Sequence, residues 1–335
     1  MSNPVVAEAL RGGRIESFYR GAGAVLDAAG RVVFAFGDVE RPIYPRSAVK
    51  ALQALPLVES GAADRLGLTE EEIALACASH SGEERHVATA KAMLAKAGCD
   101  ESALECGVHW PLSERAARAL AKNGEEASQL HNNCSGKHAG FICLACAKGI
   151  DPADYVAPDH PAQRHVAAAL AEIMGAKLSE ENRGVDGCSI PTYAVPLRAL
   201  ALGLARFATG EGLAPSRAQA AKRIRKAVAA HPDMVAGEGR FDTDVMTILG
   251  ARAFTKAGAE GVFCAALPEE GLGLAVKADD GAGRAAQVMI AALLSRFGRF
   301  DARVKGKLDA FVSPALKNWN GLEVGFMRPA GPLAK

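Results

Sequence analysis

The sequence predicts an α+β fold, with an antiparallel sheet drawn from both chain ends and a mostly helical lobe between them. Three observations point that way. Short apolar runs separated by turn residues stand near the N-terminus, helical periodicities with recognisable caps fill most of the middle, and an apolar hairpin follows near the C-terminus. One domain spanning 1–335 is expected, its sheet lobe at about 10–45 plus 255–335 and its helical lobe at about 46–254.

The N-terminal runs at 15–19, 22–26 and 32–36 read as strands, with Asp27-Ala28-Ala29-Gly30 as the turn between the second and third. A loop marked by Pro42 and Pro45 follows. A helix then opens at Arg46 or Ser47, because Ala48, Val49, Ala51, Leu52, Ala54 and Leu55 recur at helical spacing until Pro56 is expected to stop it. Thr69 and Glu72 form a capping-box pattern for a helix reaching about Cys77. Further helices are expected at 84–97, closed by Gly98, and at 111–124, 137–148, 160–174, 191–207, 215–230 and 242–251. Strands at 261–267 and 272–277, joined by Pro268-Glu269-Glu270-Gly271, precede a long amphipathic helix at 280–297.

Composition narrows the function classes. Thirty-nine basic against 38 acidic side chains leave a formal charge of +1, so neither a nucleic-acid footprint nor a basic membrane-binding surface is expected. The run Lys222-Arg223-Ile224-Arg225-Lys226 lies in an alanine-rich helical stretch and reads as a solvated helix face. No stretch of 18 apolar residues is present, so no membrane span is expected. Glu8, Arg11, Arg14, Glu16 and Arg20 interrupt the apolar segment that a secretory signal would need. The eight cysteines are therefore expected as reduced thiols in a cytoplasmic protein.

Ser47 and Lys50, three residues apart at a helix start, lie on one helix face. A serine hydroxyl becomes a nucleophile when a base takes its proton, and a lysine can be that base where burial or nearby positive charge depresses its pKa. The same spacing also arises from an N-cap serine beside a surface lysine. The order of Ser47-Ala48-Val49-Lys50, Ser79-His80-Ser81 and Lys256-Ala257-Gly258 resembles the layout of serine β-lactamases and penicillin-binding proteins, although the second and third segments depart from those families' letters.

A second polar concentration is Asn132-Asn133-Cys134-Ser135-Gly136-Lys137-His138, placed just before an apolar helix, and a third is Asp186-Gly187-Cys188-Ser189. Cys134 and Cys188 could ligate zinc, although their separation matches no structural zinc pattern. Cys134 could be a nucleophile activated by Lys137 and His138, or both thiols could be buried and inert.

Four long segments in order carry a closer resemblance: Arg41-Pro42-Ile43-Tyr44-Pro45-Arg46-Ser47-Ala48-Val49-Lys50, Cys77-Ala78-Ser79-His80-Ser81-Gly82-Glu83, His131 through His138, and Asp186 through Ser189. With them the chain closely resembles the Rhizobium etli-type L-asparaginases along nearly its whole length. The resemblance implies a serine β-lactamase-like fold, a homodimer, and hydrolysis of L-asparagine to L-aspartate and ammonia. It implies Ser47 as nucleophile with Lys50 as base, Ser79 with Lys256 as a second serine–lysine pair, and a zinc ion on Cys134, Lys137 and Cys188 that assists without being strictly required. Asp186 and His138 would neighbour that centre. Arg46, His80, Glu83, Arg183 and Asp186 are the residue types expected to hold the zwitterionic end of the substrate.

Overall fold

The computed structural model describes residues 2–334. It divides into two compact units, a sheet unit of residues 2–48, 195–212 and 252–334, and a helical unit of Val49–Ala194 and Leu213–Ala251.

The sheet unit is built on eight antiparallel strands from the two chain ends. Seven lie in the order Ala315–Lys317, Glu323–Pro329, Val5–Arg11, Arg14–Asp27, Leu272–Ala278, Val262–Leu267, Phe254–Ala257, and Val32–Phe36 pairs with the Arg14–Asp27 strand. That long strand changes neighbours along its length. Its first half pairs with Val5–Arg11, and its second half lies between Leu272–Ala278 and Val32–Phe36. The two strands expected at 15–19 and 22–26 are thus one, because Arg20 and Gly21 mark the exchange of partners and not a break. All six side chains of Val262–Leu267 are buried. This departs from strict alternation, as expected for a strand covered on both faces. The helices Leu197–Thr209 and Gly283–Phe297 both pack on this sheet. The first approaches so closely that a Cβ at Gly273 would collide with the backbone of Ala201 and Ala205.

Three expectations are corrected here. The helix foreseen at 191–207 begins at Leu197, because Pro191 and Pro196 sit in short strand pairings at Pro191–Tyr193 and Val195–Pro196. Pro56 does not end a helix but lies in the first turn of Leu55–Glu59, where its missing N–H costs nothing. The helix expected at 111–124 starts only at Glu114, because Ser113 caps it, its hydroxyl accepting the Ala116 N–H.

In the helical unit the capping box forms as read. Thr69 accepts the Glu72 N–H and the Glu72 carboxylate accepts the Thr69 N–H at 2.7 Å, starting the helix Glu70–Ala76. The helix Ser135–Ala147 crosses this one with almost no clearance. A Cβ at Gly136 would sit 2.5 Å from the Leu75 carbonyl oxygen. Glycine at 136 therefore lets the start of one helix, carrying Cys134 and Lys137, lie against the end of the other, which leads into Cys77, Ala78 and Ser79. Among the described residues no helix is long and apolar enough to cross a membrane.

Candidate active site

Lys50 opens the short helix Lys50–Gln53 and is 1% exposed. Its Nζ donates to the Ala78 carbonyl at 2.6 Å and is hydrogen-bonded to Ser79 Oγ at 2.9 Å. Burial pushes the Lys50 amine below its ordinary range, Cys134 and Cys188 oppose that shift, and Lys137 adds to it. Lys50 is thus a desolvated lysine hydrogen-bonded to a serine hydroxyl, the arrangement a base needs. The Ser79 backbone is fixed by its N–H on the Val235 carbonyl and by His80 N–H on the Asn133 carbonyl.

Cys134, Lys137 and Cys188 meet beside this pair. Lys137 Nζ donates to Cys188 Sγ at 2.9 Å, and Cys134 Sγ donates to Asn133 Oδ1 at 3.0 Å when protonated. A hydrogen bond from Cys188, with Lys137 and Lys50 close by, overcomes burial and holds the Cys134 thiol well below its ordinary range. Cys188 is pushed up by that bond to Cys134 and by burial. Burial opposes charge on Lys137, but Cys134, Cys188 and Asp186 outweigh it and raise the amine's pKa. Their mutual contacts thus push the two thiols in opposite directions, Cys134 down and Cys188 up, with the Lys137 amine raised beside them. Cys188 reaches it from the tight turn between Arg183–Val185 and Pro191–Tyr193, where Ser189 takes a φ of 75°.

His80 and His138 are fully buried, and burial holds both well below the ordinary histidine range. Gly82 N–H donates to His80 Nδ1, so the proton sits on Nε2 and is donated to Ser135 Oγ at 2.9 Å. Burial, then His86 and Lys50, keep His80 well below its ordinary range. His138 pairs through Nδ1 with the Tyr155 hydroxyl at 2.6 Å, while its buried Nε2 has no partner. Tyr155 had no sequence signal, since its contact with His138 depends on a loop folding back 17 residues later.

His86 stacks on His80 with ring centroids 5.0 Å apart, accepts the Glu83 N–H, and donates to the Asp233 carbonyl. Burial lowers it from 6.5 to about 4. Because its folded pKa is depressed, stability is intact above pH 6.5 and is lost as pH falls toward 4. The unfolded chain gains the proton first, and the full loss is about 3 kcal/mol. Denaturant midpoints at pH 7 and pH 4.5 are expected to drop less in His86→Phe than in the unmodified chain. Equal drops would show that His86 does not carry this sensitivity.

Arg183 faces Glu180 at 3.7 Å, and the Glu83 carboxylate takes the Glu238 N–H at 3.0 Å. Asp186 lies in the turn that carries Cys188 and acts electrostatically on Lys137. Arg46, Ser47 and Lys256 belong to the sheet unit. There Cys264, the cross-strand partner of Lys256, donates through Sγ to the Ala48 carbonyl at 3.2 Å. This bond holds the Arg46–Val49 turn against the strand that carries Lys256. A Cβ at Gly258 would lie 2.7 Å from the Pro45 carbonyl oxygen, so the approach needs glycine there. Lys256 is fully buried, and its Nζ donates to the Ala257 carbonyl at 2.7 Å. Arg46 has a φ of 53°, a strained conformation immediately before Ser47, and with Arg41, Glu260 and Lys277 it lines a cavity of about 240 Å³.

The L-asparaginase II family model matches residues 7–329. No curated protein sequence matches the chain significantly. Among solved structures, a β-lactamase from Mycobacterium bovis is 16% identical with a TM-score of 0.44, over 83% of this chain and 95% of that one. Simvastatin synthase from Aspergillus terreus is 12% identical with a TM-score of 0.39, over 76% and 86%. The protein Mglu is 17% identical with a TM-score of 0.37, over 84% and 68%. At these scores the likenesses carry no argument about chemistry.

Proposed function

The chain belongs to the L-asparaginase II family, and from that premise we propose how its residues divide the hydrolysis of the L-asparagine side-chain amide between serine and lysine. The observation that carries the serine–lysine chemistry is the 2.9 Å hydrogen bond between buried Lys50 and Ser79 Oγ; Ser47 as the nucleophile is proposed from the family resemblance.

Lys50, as the neutral amine its burial favours, takes the proton of Ser47, one helical turn earlier in the chain. Ser47 Oγ then attacks the side-chain carbonyl carbon. The tetrahedral oxyanion is stabilised by backbone N–H groups at the helix start, ammonia leaves with a proton, and water hydrolyses the resulting β-aspartyl ester to L-aspartate. Ser79 hands the proton onward to the leaving nitrogen, with Lys256 as the second lysine that the family resemblance pairs with it. Arg46 and Arg183 are proposed for the substrate α-carboxylate, with Glu83 and Asp186 for its α-ammonium and His80 as a neutral donor. A second reading, in which Ser79 itself is acylated, is favoured by the Lys50–Ser79 bond.

The donor set fits zinc. Two cysteine sulfurs, one with its pKa held well below the ordinary range, and an amine converge in a buried cluster. Among the described residues no group of three His, Cys, Asp or Glu side chains is arranged for a metal. The resemblance supplies Lys137 as the third protein donor, and its amine must lose its proton to bind. Cys134, Lys137 and Cys188 would hold the ion, and a bound zinc would supply Lewis-acid polarisation and substrate orientation. Chelation is expected to weaken turnover of L-asparagine without abolishing it. Complete and metal-reversible loss would instead assign the attack to metal-bound water.

Eight free cysteines suit the proposed cytoplasmic location. Homodimerisation and a lack of nucleic-acid partners are proposed from the resemblance and the balanced charge. Equal release of ammonia and L-aspartate from L-asparagine by the purified protein tests the activity. No release above the spontaneous rate would reject it.

A further inference from the structure

Cys99 and Cys146 stand outside the site just described. Cys99 follows the helix Glu84–Lys96, and Cys146 lies in the last turn of Ser135–Ala147. Their sulfurs are 3.9 Å apart. These are the two half-buried cysteines; the other six are buried. The nearest alternative, Cys143, is one helical turn before Cys146, fully buried, and donates to the Met93 carbonyl at 3.4 Å.

We propose that Cys99 and Cys146 form an oxidation site, at which a hydroperoxide converts the facing thiols to an intrachain disulfide. The sulfurs must close from 3.9 Å to about 2.05 Å, a movement within reach of side-chain rotation. Cys99 loses its proton to solvent, and its thiolate attacks one peroxide oxygen. The O–O bond breaks and the departing hydroxide takes up a proton, leaving Cys99 sulfenic acid and, from hydrogen peroxide, water. Cys146 then attacks the Cys99 sulfur, forming the S–S bond and expelling hydroxide, which leaves as a second water with the Cys146 proton. Two thiols are oxidised and one peroxide is reduced. Burial and the neighbouring Cys99 push the Cys146 thiol up to about 11, so it is a poor nucleophile towards the peroxide and must shed its proton as it attacks the sulfenic acid.

The bond would tie together the C-terminal ends of two helices that pack on each other. Their opposite ends begin beside Glu83 and Cys134, so the link braces the helix pair from the side away from the Cys134 cluster. The effect expected is on stability, because a link across residues 99–146 restricts the unfolded chain.

The full-length protein is treated with hydrogen peroxide, alkylated, and digested with trypsin without reduction. The expected product links peptide 97–115 to peptide 138–148, two hydrogens lighter than the reduced pair and reversed by dithiothreitol. Fragment ions must assign the link to Cys99 and Cys146, because the same peptides contain Cys106 and Cys143. Cys99→Ser and Cys146→Ser are expected to abolish the link, and Cys143→Ser to keep it. In Cys143→Ser, oxidation is expected to raise Tm by a few degrees and to leave Tm unchanged when Cys99→Ser is added. A link through Cys106 or Cys143 would overturn the proposal, as would persistent free thiols or irreversible over-oxidation of Cys99 without a bridge.

Discussion

Replacing Lys50 by methionine is expected to lower kcat/KM for L-asparagine by about 10³-fold, or about 4 kcal/mol of transition-state stabilisation. Methionine keeps most of the volume and the unbranched stem of a side chain that is 1% exposed but removes the amine bonded to Ala78 and Ser79. The loss should fall mainly on kcat, because the lysine acts on protons in flight rather than on substrate binding. Arginine should not rescue it. Its guanidinium cannot be deprotonated, and its planar fork does not fit the two acceptors that converge on one ammonium. A Lys50→Met protein that folds with unchanged Tm and still turns over L-asparagine at a similar rate would remove lysine from the chemistry.

The larger effect is expected at Ser47. Ser47→Ala should reduce turnover to the background of substrate binding alone, since no oxygen remains to form the acyl intermediate. Ser79→Ala should cost about 10²-fold, the scale of a lost proton-transfer partner, while a covalent intermediate still forms. The two variants therefore separate the readings. If Ser79→Ala is inert and Ser47→Ala retains rate, the hydrogen bond from Lys50 identifies the nucleophile and Ser47 is a helix-start residue.

Much of the fold was legible where its determinants are local. The Thr69–Glu72 cap, the glycine-closed helix at 84–96 and the 262–278 hairpin depend on residues within a few positions of one another. The strands Val5–Arg11 and Glu323–Pro329 escaped notice although each has a local partner, Arg14–Asp27 across the Gly12-Gly13 turn and Ala315–Lys317; their pairing with each other spans more than 300 residues. Their internal pattern alternates poorly, and only the pairing makes them strands. The same contrast governs the site. Cys134 and Lys137 are readable as one face of a helix start, whereas Cys188 joins them from a turn 51 residues beyond Lys137. Spacing singled out Ser47 as the partner of Lys50, but no spacing rule connects Lys50 with Ser79, 29 residues away. That contact depends on Gly136, which lets two helices close until the 77–79 segment is set against the cluster.

The central claim, that a serine is acylated with Lys50 as its base, is tested most directly by trapping the protein with a slowly hydrolysed ester or amide analogue of asparagine. Trypsin separates the candidates, since Ser47 falls in peptide 47–50 and Ser79 in peptide 66–85. The account predicts an acyl mass increment on peptide 47–50, and none on the corresponding longer peptide 47–65 of Lys50→Met. An increment on Cys134, or turnover with no covalent adduct on any serine, would contradict it.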